Sequence, residues 1–154
     1  LIRRPPGRVA SGRTGIYRRR MQDLAAFAAI LATYAVLNLT WVSLFALDLY
    51  RRELSTLLVE KPRAPMAGLF YLLHAAGVLV LAVQPALAAG TWRQAAILGA
   101  LFGLCTYATY DLTNAATLRR WPGNLVVMDL LCGVLLTAAA ASAGYFAARA
   151  LAMA

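Results

Sequence analysis

Apolar residues run through this chain in four long stretches, at about 24–47, 66–88, 94–118 and 125–148. Each is close to the ~20 residues that cross ~30 Å of hydrocarbon at ~1.5 Å per residue. Polar and turn-forming residues separate them. Asp48-Leu49-Tyr50-Arg51-Arg52 closes the first stretch at a membrane interface. Pro62 and Pro65 interrupt the chain and predict a helix start near Met66. Pro85 and Gly90 end the second stretch, and Trp92 and Arg93 are interfacial types. Arg119-Arg120-Trp121-Pro122-Gly123-Asn124 is a turn signal with a tryptophan at the membrane surface, and Asn124 is placed to cap the last helix. The pattern predicts an all-α, integral membrane four-helix bundle, one domain over residues 21–154.

Composition agrees: 62% of residues are hydrophobic and the mean hydropathy is +0.67, too apolar for a soluble domain of this size. Charge needs a closer reading. Seven of the fifteen basic residues are arginines in the first 20 positions, in a stretch rich in Gly and Pro with no helical periodicity. This leader suits a basic arm on anionic lipid or nucleic acid. It suits better a translated upstream segment, with the natural protein starting at Met21, where a first membrane helix should begin; residues 1–20 are therefore set aside from the fold. A signal peptide fits less well, because the following apolar run is long and carries Tyr34, Asn38, Thr40 and Trp41 in its middle.

Orientation follows from basic residues near helix ends. With four spans, loops 48–65 and 119–124 share a side and hold six of them, against Arg93 and Arg149 opposite if the chain starts at Met21. Those loops are then expected in the cytoplasm. Counting residues 1–20 gives nine against six and inverts the orientation. Cys105 and Cys132 lie in apolar runs at no zinc or disulfide spacing and read as small, buried, free thiols.

The strongest chemical signal is Tyr107-Ala-Thr-Tyr110-Asp111-Leu-Thr-Asn114, inside the third stretch. Ionisable residues in hydrocarbon are costly and by default raise a functional-site hypothesis. Asp111 lies eight residues before Arg119, and Asp129 nine after Arg120. On antiparallel helices that places both carboxyls ~12 Å below the loop. His74, Asn38 and Trp41 fall nearest the same face, so every helix contributes to one polar layer, off-centre toward the first and third loops. Helical phase predicts four converging stripes: Tyr34, Asn38, Trp41 and Phe45; His74, Gly77, Leu81 and Gln84; Gly99, Gly103, Tyr107, Asp111 and Asn114; and Asp129, Gly133, Thr137, Ala140 and Gly144. The glycines allow close helix approach.

Each residue also has a plainer reading. The aspartates suit a structural hydrogen-bond network, His74 a satisfied core position, and the tryptophans packing or interface anchoring. His74, Asp111 and Asp129 are acceptable metal donors, yet they lack a spacing signature, and no metal or cofactor is expected.

Tyr71-Leu-Leu-His74, Gln84-Pro85-Ala86-Leu87, Gly99-Ala-Leu-Phe-Gly103 and above all Tyr107-Ala-Thr-Tyr110-Asp111-Leu-Thr-Asn114-Ala-Ala-Thr117-Leu118 resemble domain-of-unknown-function family 2177, small bacterial membrane proteins. The resemblance covers about 25–145 and implies a four-helix protein of the bacterial inner membrane, with no assigned activity. Asn38 stands where an acidic residue is more usual, and Cys132 where a tryptophan is common, which weakens any proton-transfer role for the first helix.

Three functions compete. The first is binding or transport of a small polar solute, a proton or a lipid headgroup at Asp111, Asp129, Asn114, Tyr107, Tyr110, His74, Asn38 and Trp41. Translocation by so small a chain would require a homodimer. The second is a membrane-embedded enzyme acting on a lipid or quinone, with the aspartates as acid and base; no nucleophile–base pair or cofactor motif accompanies them. The third is a structural or assembly subunit. The lipid bilayer is the expected partner, nucleic acid is not, and the ligand is open. A dead-end cavity open to lipid would favour the enzyme, a continuous polar path transport, and a closed bonded layer the structural role.

Overall fold

The computed structural model describes residues 8–54, 59 and 61–153. Among them the regular structure is entirely helical: α1 (Arg8–Trp41), α2 (Leu47–Glu53), α3 (Ala64–Val78), α4 (Gln84–Ala89), α5 (Trp92–Thr117) and α6 (Gly123–Met153). A π turn (Val42–Ala46) joins α1 to α2, and a second (Leu79–Val83) joins α3 to α4. In each, an amide bonds back five residues: Leu47 N–H to Val42 O, and Gln84 N–H to Leu79 O. Four helical spans are long and apolar enough to cross a membrane: Gly15–Phe45, Ala64–Ala89, Trp92–Thr117 and Gly123–Met153. Leu24, Val36, Ile97, Leu131 and Leu135 are more than half exposed, as a lipid-facing belt would be.

The helix boundaries follow local chemistry. Pro65 sits in the first turn of α3, where its missing N–H costs nothing. The second span ends on Gly90 in the left-handed conformation, φ 72°, with Thr91 N–H reaching Ala86 O. Two expectations need correction here. Residues 8–20 are helical and continue α1, despite having no apolar periodicity; helix propagation costs little once the following span is formed. The leader's first seven residues, and Glu60 of the first loop, lie outside the described residues. α6 begins at Gly123, so Asn124 lies within the first turn and is not its cap, and the helix continues past 148 to Met153. There the Arg18 guanidinium donates to the Ala152 carbonyl, satisfying an acceptor in the last turn and tying the start of α1 to the end of α6.

α6 is the hub, packing most extensively on α5 and α1. Its seam with α5 is built from glycine. A Cβ on Gly103 would overlap the Gly133 carbonyl and lie 2.7 Å from Thr137 Oγ1; one on Gly99 would lie 2.6 Å from Ala141 Cβ. Gly133 in turn accommodates the Tyr107 ring. On the other side, Gly144 takes the Ile30 side chain of α1. The half of the bundle away from the first and third loops is closed by small residues, with Ala26, Val78, Ala82, Ala86, Ala95 and Ala141 fully or almost fully buried.

The stripes on α5 and α6 fall as the α period predicts: Gly99, Gly103 and Asp111 are buried, and so are Asp129, Gly133, Thr137, Ala140 and Gly144. The other two break at the π turns. Leu81 and Gln84 are exposed, and the buried line runs from His74 through Val78 to Ala82 and Ala86. Phe45 is 60% exposed and stacks on Trp41 outside the bundle. An extra residue in one turn rotates everything beyond it by about 100°, which an unbroken 3.6 period cannot anticipate. Cys132 is buried as expected, but Cys105 is exposed, because it lies on the α5 face turned away from α6.

Candidate functional site

Three helices meet in a network of phenols and one amide. The Tyr34 and Tyr107 hydroxyls are 2.6 Å apart. Asn38 donates from Nδ2 to the Tyr107 hydroxyl at 3.2 Å and accepts at Oδ1 from the Tyr71 hydroxyl at 2.9 Å. Asn38 thus uses both ends of its amide to link α1 with α3 and α5. An acid at this position could not donate to Tyr107 when ionised, so the amide suits the partners this chain provides. His74 stacks on Tyr34 with ring centroids 4.1 Å apart, and its Nε2 is 3.2 Å from Thr137 Oγ1. Its ring is therefore engaged on one face and at one nitrogen.

The two aspartates occupy different settings. Asp129 takes a hydrogen bond at Oδ2 from the Tyr50 hydroxyl of α2, 2.8 Å away. Burial, and then the Asp129 carboxyl, push the Tyr50 phenol well above the usual tyrosine range, so it stays a donor. Asp111 has no exposed surface. Its Oδ1 accepts from the Trp121 indole at 3.2 Å, while its Oδ2 is buried without a partner. Tyr110 packs edge-on against Trp121, with centroids 5.7 Å apart. Both carboxyls are thus held from the loop side, one by α2 and one by the segment after α5.

A cavity of about 930 Å³ opens beside this network. It exists because the second span approaches α5 mainly through its π turn and α4, with His74 and Gly77 of α3 meeting it at Phe102, whereas the rest of α3 leans on α1. Phe102 fills the narrow end, its ring 5.3 Å from His74. Toward the loops, α3 and α5 part. Met66, Leu69 and Leu73 on one lip, and Cys105, Thr109 and Tyr110 on the other, line the space and are exposed. Asn38, Trp41, Tyr50, His74, Tyr107 and Asp129 line its inner wall. Both lips belong to helices long and apolar enough to cross a membrane, and their exposed residues lie within those spans.

Of the residues singled out from the sequence, the structure brings Asn38, Trp41, His74, Tyr107, Tyr110 and Asp129 to one cavity. Asp111 and Asn114 are not on its wall: α5 turns Asp111 toward α6 and Trp121. No three His, Cys, Asp or Glu side chains among the described residues group as a metal site. Tyr50, Tyr71 and Trp121 carry key hydrogen bonds that the sequence reading did not assign. Tyr50 is embedded in a charged interfacial cluster, and Trp121 reads as a surface anchor. Trp121 lies between the two intramembrane acids in sequence and Tyr71 three residues before His74, whereas Tyr50 has no such neighbour and carries no signal.

Residues 23–146 match the family described as predicted membrane protein, DUF2177. The chain belongs to that family. It is a membrane protein, and the match covers every residue that lines the cavity. No curated protein and no solved structure matches it.

Proposed function

We propose that this DUF2177 protein is an intramembrane binding protein for an amphiphilic molecule, which enters sideways from the lipid between α3 and α5. The observation that carries this reading is the cavity: polar groups line its inner wall and exposed apolar residues its mouth. Its size lies in the ~300–1,000 Å³ range of small-molecule sites. A molecule with one polar end and an apolar body satisfies both regions. The alanine-rich core beyond Phe102 and Val78 supports a dead-end site over a translocation path. Asp129 and Tyr50 form the polar end of the site, and Asp111 with Trp121 braces the helix ends behind it.

Native mass spectrometry of the protein purified in mild detergent tests this. The wild type should retain an amphiphile through delipidation. Thr106→Trp, which places a large ring in the cavity, should lose it while remaining folded. Equal retention by both proteins would refute the assigned site. A second reading, catalysis on the bound amphiphile, is the one a dead-end cavity open to lipid favours over transport; it presupposes the binding proposed here and draws on the Tyr50–Asp129 pair, whose donor and acceptor lie side by side on the wall. Conversion of the retained molecule, abolished by Asp129→Asn, would favour it.

A further inference from the structure

We infer that the polar end of the occupant is an organic cation, a lipophilic amine or quaternary ammonium; this rests on the reading of the cavity as an amphiphile site. The charge and the rings of the wall carry the inference. Among the described residues, Asp129 is the one acidic side chain lining the cavity, and no Lys or Arg lines it. An anionic head would meet a carboxyl with no basic group to offset it, and a zwitterionic phospholipid would leave its phosphate in the same position. A cation offers the complement. Asp129 uses Oδ2 for Tyr50, and Oδ1 accepts no hydrogen bond from the described residues. His74 does not compete for this role, because it is stacked on Tyr34 and bonded to Thr137.

Much of the remaining wall is aromatic. Trp41, Tyr50, Phe70, Phe102, Tyr107 and Tyr110 all line the space. Ring faces attract cations, most strongly where water is excluded, and cages of this type are a recurring solution for quaternary ammonium groups. A hydrophobic cavity that needed only to hold a tail would be equally well lined by Leu and Val. The smaller cavity at the other end of the bundle differs. Arg19 and Arg149 line it beside Asp23 and the amides of Gln22 and Gln84, so its acid is offset by two guanidinium groups, and none of its described lining residues is aromatic.

The test uses the full chain in a non-ionic maltoside detergent, with labelled tetraphenylphosphonium as the probe in equilibrium dialysis. Competitors share a sixteen-carbon chain and differ in the head: hexadecyltrimethylammonium, hexadecanol, hexadecanoate and the zwitterion lysophosphatidylcholine. The ammonium should displace the probe at least about tenfold better than the alcohol, with the fatty acid and the zwitterion weaker still. Asp129→Asn should weaken the cation by about tenfold or more and leave the alcohol unchanged, and Asp129→Glu should restore part of the loss. Tyr110→Leu, at an exposed position that perturbs folding little, should weaken the cation by about threefold. If the alcohol competes as well as the ammonium and Asp129→Asn affects neither, the cation inference is wrong while the amphiphile site stands. Stronger competition by the fatty acid or the zwitterion overturns the inference in the same way. If Thr106→Trp leaves binding of every amphiphile intact, both readings fall. Should Asp129→Asn not fold, Asp129→Glu and Tyr110→Leu still decide: unchanged cation affinity in both overturns the inference.

Discussion

Replacing Gly103 by alanine adds a single methyl group to the α5–α6 seam, and the structure lets its cost be worked out. The new Cβ would overlap the Gly133 carbonyl oxygen and stand 2.7 Å from Thr137 Oγ1. The Gly133 oxygen belongs to the backbone of α6 and cannot rotate away. The helices must therefore separate, and they lose contact along Gly99 and Ala141 as well, because the seam is continuous. Overpacking of this kind costs about 1–3 kcal/mol, and a rigid neighbour places this case at the upper end. Alanine also gains about 0.5–1 kcal/mol over glycine in a helix interior, which must be removed from the comparison. Gly68→Ala does this: Gly68 lies within α3, and a Cβ there meets nothing within 4 Å. Reversible unfolding in mixed micelles should show Gly68→Ala neutral or stabilising, and Gly103→Ala destabilised by about 2 kcal/mol or more relative to it, close to thirtyfold in the folding equilibrium. Gly103→Leu should lose folded yield far more than Ala100→Leu. If the two alanine variants unfold alike, the α5–α6 seam does not have the assigned geometry.

Two further outcomes follow from the loop side. Tyr50→Phe should cost about 1–3 kcal/mol, because it strips the Asp129 carboxyl of its phenol donor. The folded phenol titrates above its ordinary value of about 10, so its contribution to stability is complete below that pH and fades only as pH rises through the raised value. Absorbance titration at 295 nm should accordingly find the tyrosinate signal near pH 10 unchanged in Tyr50→Phe; a loss of one tyrosine's amplitude there would contradict the burial of Tyr50. Cysteines placed in the 53–65 loop should be protected from impermeant reagents in intact cells, given the six-against-two basic count over residues 21–154. External labelling would refute that orientation.

The four spans were legible because length and hydropathy alone define them. So was the glycine seam, since Gly99, Gly103 and Asp111 share an unbroken α phase on α5. Depth was legible too: counting from the loops places Asp111, Asp129, Asn38 and His74 in one half of the bundle. What counting could not supply was the direction in which each side chain points. One residue of phase is about 100°, which separates a carboxyl on the cavity wall from one behind it. Asp129 therefore faces the cavity and Asp111 faces Trp121, although the richer motif surrounds Asp111. The π turns removed the remaining information, sending Phe45, Leu81 and Gln84 outward. They lie in plain apolar runs, and nothing in Val42–Ala46 or Leu79–Val83 announces them. The cavity itself arises from the divergence of α3 and α5, a relation between elements that no local pattern encodes.

The position of α6 at the centre of the bundle also sets a timetable for biosynthesis. Of the four spans the first leaves the ribosome earliest, yet its principal partner is the fourth. Ile30 and the Gly144 it packs on are separated by 114 residues (144 − 30). At a synthesis rate of roughly 5–20 residues per second, that interval is on the order of 10 s. Throughout it, the face carrying Ala26, Ile30 and Tyr34 has only lipid, α3 or an insertion chaperone to lie against. Each helix can enter the bilayer as it emerges, but the bundle closes only after the final turn of α6 is released. A stop codon within α6 would therefore do more than shorten that helix: it would orphan the first span.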